Sequence, residues 1–170
     1  MKKLFLSIVT FLLVSSAAQA QKYAIIDSKY ILEKIKDYTA AQKTIEDLSK
    51  QWQSEIDQQM AQVSKLYETY QAERAMLSEP QRKKREDEII EKEKAIKDLQ
   101  KRRFGYEGEL FVKQQELIKP IQEKVYNAVQ KFAAQRGLEF ILDKSAGTSL
   151  FYVDPKLDKS DEILKTLGVN

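Results

Sequence analysis

The first glycine of this chain is Gly105, and the only proline before it is Pro80. Over such a length, the absence of the two residues that most readily stop a helix leaves apolar spacing to decide the structure. Ile45, Leu48, Trp52, Ile56, Met60, Val63, Tyr67 and Tyr70 recur at steps of three and four, one face of a helix. Thr39-Ala-Ala-Gln42 has the pattern of a capping box at its start, and the helix is expected to run to Leu77. Ser78-Glu-Pro-Gln81 repeats the box, with Pro80 in a first turn that does not need its missing N–H. A second helix is expected from there to about Arg136, with Gly137 as its C′ residue. Two helices joined by so short a turn run antiparallel, and at 1.5 Å per residue the first is roughly 57 Å long.

The second helix carries Phe104, Phe111, Ile118, Val125 and Phe132 at seven-residue spacing, with Leu110, Leu117, Ile121 and Ala128 beside them. Extended backwards, that register meets Glu93, Lys97 and Gln100, so the half nearer the turn is expected to be thinly packed. Gly105, Gly108 and Pro120 fall inside this helix. Pro120 reads as a kink; the glycines read equally well as a hinge or as points of close backbone approach.

The remaining residues read differently. Tyr23–Asp27 is a short apolar strand, and Asp27 or Ser28 caps a brief helix through Ile35. Segments 138–143 and 149–154 are expected to form a β-hairpin about a Ser-Ala-Gly-Thr turn. Asp158 to Leu167 is a closing helix with Asp158 as its cap and Gly168 behind it. The expected class is therefore α+β, mostly α. Residues 21–39 and 136–170 form a small β body, and 40–135 form a long helical hairpin arm with its tip near 78–80. Three short strands without Cys or metal ligands bury too little to stand alone, which points to an obligate oligomer of unspecified number.

Residues 1–20 read as a secretory signal peptide: Lys2 and Lys3, an apolar run from Leu4 to Val14, and Ala18-Gln19-Ala20 for cleavage after Ala20. The apolar run is shorter than the ~20 residues a membrane span needs. Gln21 stands where a lipoprotein would carry its Cys. The expected destination is a bacterial periplasm.

Composition narrows the chemistry. The chain has 29 basic and 26 acidic side chains, no His and no Cys, and its five glycines form no phosphate-cradling loop. No metal, cofactor or nucleotide is expected. Loss of the leader would reduce the net charge from +3 to +1. Basic residues concentrate in Arg82-Lys83-Lys84-Arg85 and Lys101-Arg102-Arg103, read together as a basic tip for acidic clients or anionic lipid, or as a solvated helix face laced with ion pairs. Acids interleave the bases, so nucleic acid is not an expected partner.

This layout resembles the OmpH family of periplasmic chaperones. The resemblance rests on Tyr23-Ala-Ile-Ile-Asp27, the charged hairpin, Leu138-Glu-Phe-Ile-Leu-Asp-Lys144 and Leu157-Asp-Lys-Ser-Asp-Glu-Ile-Leu-Lys165, and residues 104–122 are similar to Bacteroidetes members. It implies a homotrimer whose body pools strands from three chains into a β-barrel. Three arms then enclose a cavity that holds unfolded outer-membrane proteins without ATP. Lipopolysaccharide is a further partner credited to some members. Family members are often strongly basic, which this chain is not.

On that reading, Tyr106 and Leu110 are the preferred cavity-facing contacts, with Phe104, Phe111, Tyr67 and Tyr70 as further candidates. The alternative for all six is that they are the hairpin's own core. The competing functions are a periplasmic coiled-coil spacer or adaptor, and a glycosidase-type enzyme. The latter is disfavoured because its acids would sit among Lys and Arg on exposed arms.

Overall fold

The computed structural model describes residues 22–147 and 150–169. The expected leader at 1–20 lies outside them. The element order is β1 (Tyr23–Ile26), α1 (Ser28–Lys34), α2 (Lys36–Glu73), α3 (Glu79–Phe104), α4 (Glu109–Arg136), β2 (Phe140–Asp143) and α5 (Ser160–Thr166). The chain is thus mostly helical with one small sheet. It divides into two compact units, one up to Ile31 and from Lys124 onward, the other Leu32–Glu123.

In the second unit, α2 and α3 pack as an antiparallel pair. Trp52 meets Phe104, Glu55 meets Arg103 and Tyr70 meets Glu86, so contacts run in opposite directions along the two helices. The seam is filled by Ile56, Val63 and Tyr70 from α2 and by Ile89, Ile96 and Leu99 from α3, with Leu66, Leu77 and Phe104 packed against it. Ile56–Val63–Tyr70 and Ile89–Ile96 keep the seven-residue period of a coiled-coil seam. The half near the turn is therefore packed, contrary to the register extrapolated from Phe104. The seam on α3 lies one residue earlier, at Ile96 and Leu99 rather than Lys97 and Gln100. The register of Phe111–Phe132 cannot be carried back into α3 because the helix breaks between Phe104 and Glu109.

The break is the main departure from the expected second helix. α3 ends at Phe104, where the Gly105 amide donates to the Lys101 carbonyl at 2.8 Å. Gly105 then turns extended at ψ 176°, Glu107 takes a left-handed φ of 54°, and α4 begins at Glu109. Close approach explains both glycines. A Cβ on Gly105 would lie 2.3 Å from the Lys101 carbonyl oxygen, and one on Gly108 2.9 Å from the carbonyl oxygens of Arg102 and Gly105. Gly105→Ala should therefore destabilise the unit by about 1–3 kcal/mol, as overpacking does. Thermal unfolding checks this, and an unchanged midpoint would show that the backbone can shift freely. Pro120, by contrast, stays within α4.

Capping also differs at one end. α2 starts at Lys36, upstream of Thr39, whose hydroxyl donates to the Lys36 carbonyl at 2.9 Å; Gln42 donates to the Tyr38 hydroxyl. The first capping box is unused because the helix has already begun. The second is present: the Gln81 side-chain oxygen accepts from the Ser78 amide at 2.9 Å, and Pro80 sits in the first turn of α3.

In the first unit, β1 and β2 pair in parallel, Tyr23 opposite Phe140 and Ile26 opposite Asp143. The other edge of β1 is bridged at Ile25 by the chain around Asp158. Ala24, Ile25, Ile26, Ile31, Val125, Ala128, Phe132, Ile163 and Leu164 are the buried apolar residues described in this unit, with Ser160 buried among the polar ones. Among the described residues the expected β-hairpin is not formed: residues 150–154 are irregular, and Phe151 and Tyr152 are 101% and 80% exposed. β2 instead finds its partner in β1, and nothing within the chain pairs with 150–154 among the described residues. Asp27 caps α1 through the Tyr30 amide at 2.9 Å. Asp158 stands two residues before α5, one ahead of its N-cap Lys159, and accepts from the Ser160 amide at 2.9 Å and hydroxyl at 2.6 Å. Gly137, at φ 60°, closes α4 while the Leu138 amide returns to the Ala133 carbonyl at 3.0 Å.

Candidate binding surface of the hairpin

Because the α2–α3 seam takes one apolar residue per turn, the apolar residues beside it remain on the surface. Met60 and Tyr67 lie four residues after Ile56 and Val63, and are 54% and 52% exposed. They form one wall of a groove of about 510 Å³ whose other wall is Glu93, Ile96, Lys97 and Gln100 on α3. Ile90 on α3, Met76 in the turn, and Phe111 and Val112 on α4 are exposed as well. Methionine and aromatic side chains so placed offer adaptable, weakly directional contacts.

At the break, Tyr106 is 97% exposed and lines a groove of about 610 Å³ together with Trp52 and Val112; its rim is of mixed charge, Lys101, Arg102 and Lys113 against Asp98, Glu107 and Glu109. Trp52 is buried, edge-on to Phe104 with ring centroids 6.3 Å apart. The Arg103 guanidinium lies 4.5 Å over its ring. Further along, α2 faces α4 across a third groove of about 850 Å³, lined by Ile45, Leu110 and Ile118 among many polar groups.

The six aromatic and apolar candidates therefore separate. Tyr106, Tyr67 and Phe111 are exposed, Leu110 is half-buried in the α2–α4 groove, and Phe104 is half-buried against the seam. Tyr70 is seam: it is 5% exposed, and its hydroxyl donates to Glu86. That bond raises the Tyr70 pKa above the usual phenol value, with desolvation adding to it. The residues missed in the sequence were Ile89, Ile96 and Leu99, whose period was masked by the register read from Phe104, and Met76 and Val112, which periodicity does not single out.

The basic residues separate too. Arg82, Lys83, Lys84 and Arg85 follow the turn, where Arg82 donates to the Arg74 carbonyl at 3.0 Å and pairs with Glu79, and Arg85 pairs with Glu88. Lys101, Arg102 and Arg103 lie at the opposite end of α3, about 30 Å away at the helical rise, and so do not belong to the tip. Arg103 is engaged within the fold, bonded to Glu109 and, at 3.5 Å, to Glu55. Among the described residues, no group of His, Cys, Asp and Glu is arranged to hold a metal ion, and no helix is long and apolar enough to cross a membrane.

A chain with a long two-helix seam in one unit and a small parallel sheet in the other can be compared with known proteins. An OmpH-like protein from Caulobacter crescentus, solved by crystallography, superposes with a TM-score of 0.70 at 12% identity, over 89% of this chain and 86% of that one. No curated protein matches the sequence. The model of the OmpH-like outer membrane protein family matches residues 22–167, from the residue before β1 to the one after α5. With every helix and strand of both units inside a single match, the chain belongs to the OmpH-like family.

Proposed function

We propose that this protein is an ATP-independent periplasmic holdase that keeps unfolded outer-membrane proteins from aggregating in a cavity between helical arms. The observation that carries the reading is the set of exposed apolar side chains left over by a seam that is already filled: Met60 and Tyr67 beside it, Tyr106 at the break, and Phe111 and Val112 on α4. Many shallow contacts of this kind sum to useful affinity while tolerating any client sequence. Membership of the OmpH-like family supports the chaperone class. Export after cleavage at Ala20 rests on the sequence of the leader.

The holdase works as a homotrimer in this reading. Its support is the apolar surface left on the first unit: Phe151 and Tyr152 stand free, and Tyr23 stacks on Phe140 at 5.5 Å with both rings about two-fifths exposed. Second and third copies would cover these residues and give 150–154 a strand partner, as in a shared barrel. Arg82–Arg85 near the turn remain the proposed contact for anionic lipid or lipopolysaccharide.

The test is incubation with a urea-denatured porin in the absence of nucleotide. Soluble complexes at one trimer per client are expected. The double variant Tyr67→Glu, Tyr106→Glu should weaken capture by about tenfold, two lost aromatic contacts, without altering oligomer mass. Undiminished capture by that variant would remove both residues from the client surface. Absence of any complex, with assembly into rings or filaments, would favour a coiled-coil spacer instead.

A further inference from the structure

Three segments meet at one side chain beside the helix break. Arg103 is the penultimate residue of α3. Its guanidinium donates to Glu109, the first residue of α4, and at 3.5 Å to Glu55 on α2, while its face covers the Trp52 ring at 4.5 Å. Between Phe104 and Glu109 the backbone supplies little continuity: Gly105 is extended, Glu107 is left-handed, and the Gly108 amide reaches only back to Gly105. Arg103 therefore ties the start of α4 to α2 and α3 by side-chain contacts, with Arg102 4.0 Å from the same Glu109 carboxylate.

We propose that Arg103 is a latch across this break, closed over Trp52, and that its release uncovers Trp52 and Phe104 as further contact surface for a non-native chain. The second half of this statement rests on the chaperone reading above. Closure has a cost, because Arg103 Nε is buried without a hydrogen-bond partner. Its gain is modest and sensitive to salt, because the Arg103 side chain is 23% exposed and both carboxylate partners 42% exposed. A weak ionic closure over a strongly apolar pair is the balance a latch requires. The planar fork matters: it alone reaches two carboxylates on different helices while stacking on an indole. Once open, Phe104 and more of the Trp52 ring would join Tyr106 and Val112 around the groove whose lining Trp52 already reaches.

Trp52 is the only tryptophan of the chain, so its fluorescence reports the latch directly. In the full-length protein without client, Arg103→Gln should shift its emission to longer wavelength and raise acrylamide quenching several-fold, with helix content unchanged by circular dichroism. An unchanged spectrum and quenching in a folded variant overturns the latch. Should Arg103→Gln fail to fold, Glu109→Gln decides by the same readout, since it removes the contact across the break and leaves Glu55 in place. Binding of a urea-denatured porin, followed by sedimentation, should then be several-fold tighter for the opened variant. Equal or weaker binding overturns the contact role. Failure of the unsubstituted protein to capture the porin would instead overturn the chaperone reading, and is distinguishable because the fluorescence experiment contains no client.

Discussion

Trp52→Ala is expected to cost the hairpin about 3–5 kcal/mol, the range for removing a large buried aromatic side chain. Trp52 is 8% exposed, meets Phe104 edge-on at an interplanar angle of 76°, and lies under the Arg103 guanidinium. Its loss removes apolar burial, the aromatic pair and the cation–π contact together. It also leaves the charged Arg103 over a cavity. Denaturant unfolding followed by far-ultraviolet circular dichroism measures the effect. Met60→Ala is the matched control: Met60 lies two turns further along α2, beside the seam and half-exposed, and should cost well under half as much. Equal losses from the two substitutions would show that the seam is not where the structure has it.

The second large effect lies in the first unit, where acid should unfold what neutral pH holds. Ser160 is 4% exposed; its hydroxyl accepts from the Asp27 amide at 2.8 Å and donates to Asp158. Asp158 also pairs with Lys144 at 2.7 Å, and Lys144 lies 3.7 Å from Asp27. Asp143 accepts from the Ser28 amide at 3.1 Å and from the Ser145 hydroxyl at 2.7 Å. Burial by itself would raise both carboxyls. For Asp158 the bonds from Lys144 and Ser160 outweigh it, and for Asp143 those from Ser28 and Ser145 do, so each is held below the usual carboxylate range.

A carboxyl whose pKa is lower folded than unfolded contributes stability above its unfolded value, near 3.9, and loses it as pH falls through the folded value. The thermal midpoint should therefore drop as pH is lowered below about 4, and less steeply in Asp158→Asn. Ser160→Ala should cost about 1–3 kcal/mol at neutral pH, because the Asp27 amide loses its acceptor. An acid limb identical in Asp158→Asn and the unsubstituted protein would mean that other carboxyls carry the transition.

Much of the helical architecture was legible from local rules. The glycine-free run, the apolar spacing through Trp52, Ile56 and Val63, and the capping box at Ser78 each act within a few residues, so each reads correctly in isolation. The errors have a common origin. Thr39 and Gln42 match a capping box, but a pattern of side chains cannot say that the helix has already begun at Lys36. The seven-residue register from Phe104 to Phe132 runs across the break between Phe104 and Glu109, and Phe111 within it is exposed. Carried back past Gly105 it displaced the seam by one residue and hid Ile89, Ile96 and Leu99. Strand pairing failed for the same reason: 138–143 and 149–154 are adjacent in sequence and look like a hairpin, yet β2 pairs with β1 more than a hundred residues away.

By itself, then, the sequence determined the helical character of the long segment, the turn at Ser78 and the type of β1, β2 and the two short helices, but not of 150–154, expected as a strand and found irregular. These depend on backbone propensity and hydrogen bonds closed within a few residues. Tertiary structure alone decided that the second helix stops at Phe104, that β1 and β2 run parallel, and which aromatic residues face solvent. Those outcomes turn on contacts between residues far apart in the chain: a Lys101 carbonyl with no room for a Cβ at Gly105, one guanidinium shared by Glu55 and Glu109, and a seam with room for Tyr70 but not Tyr67.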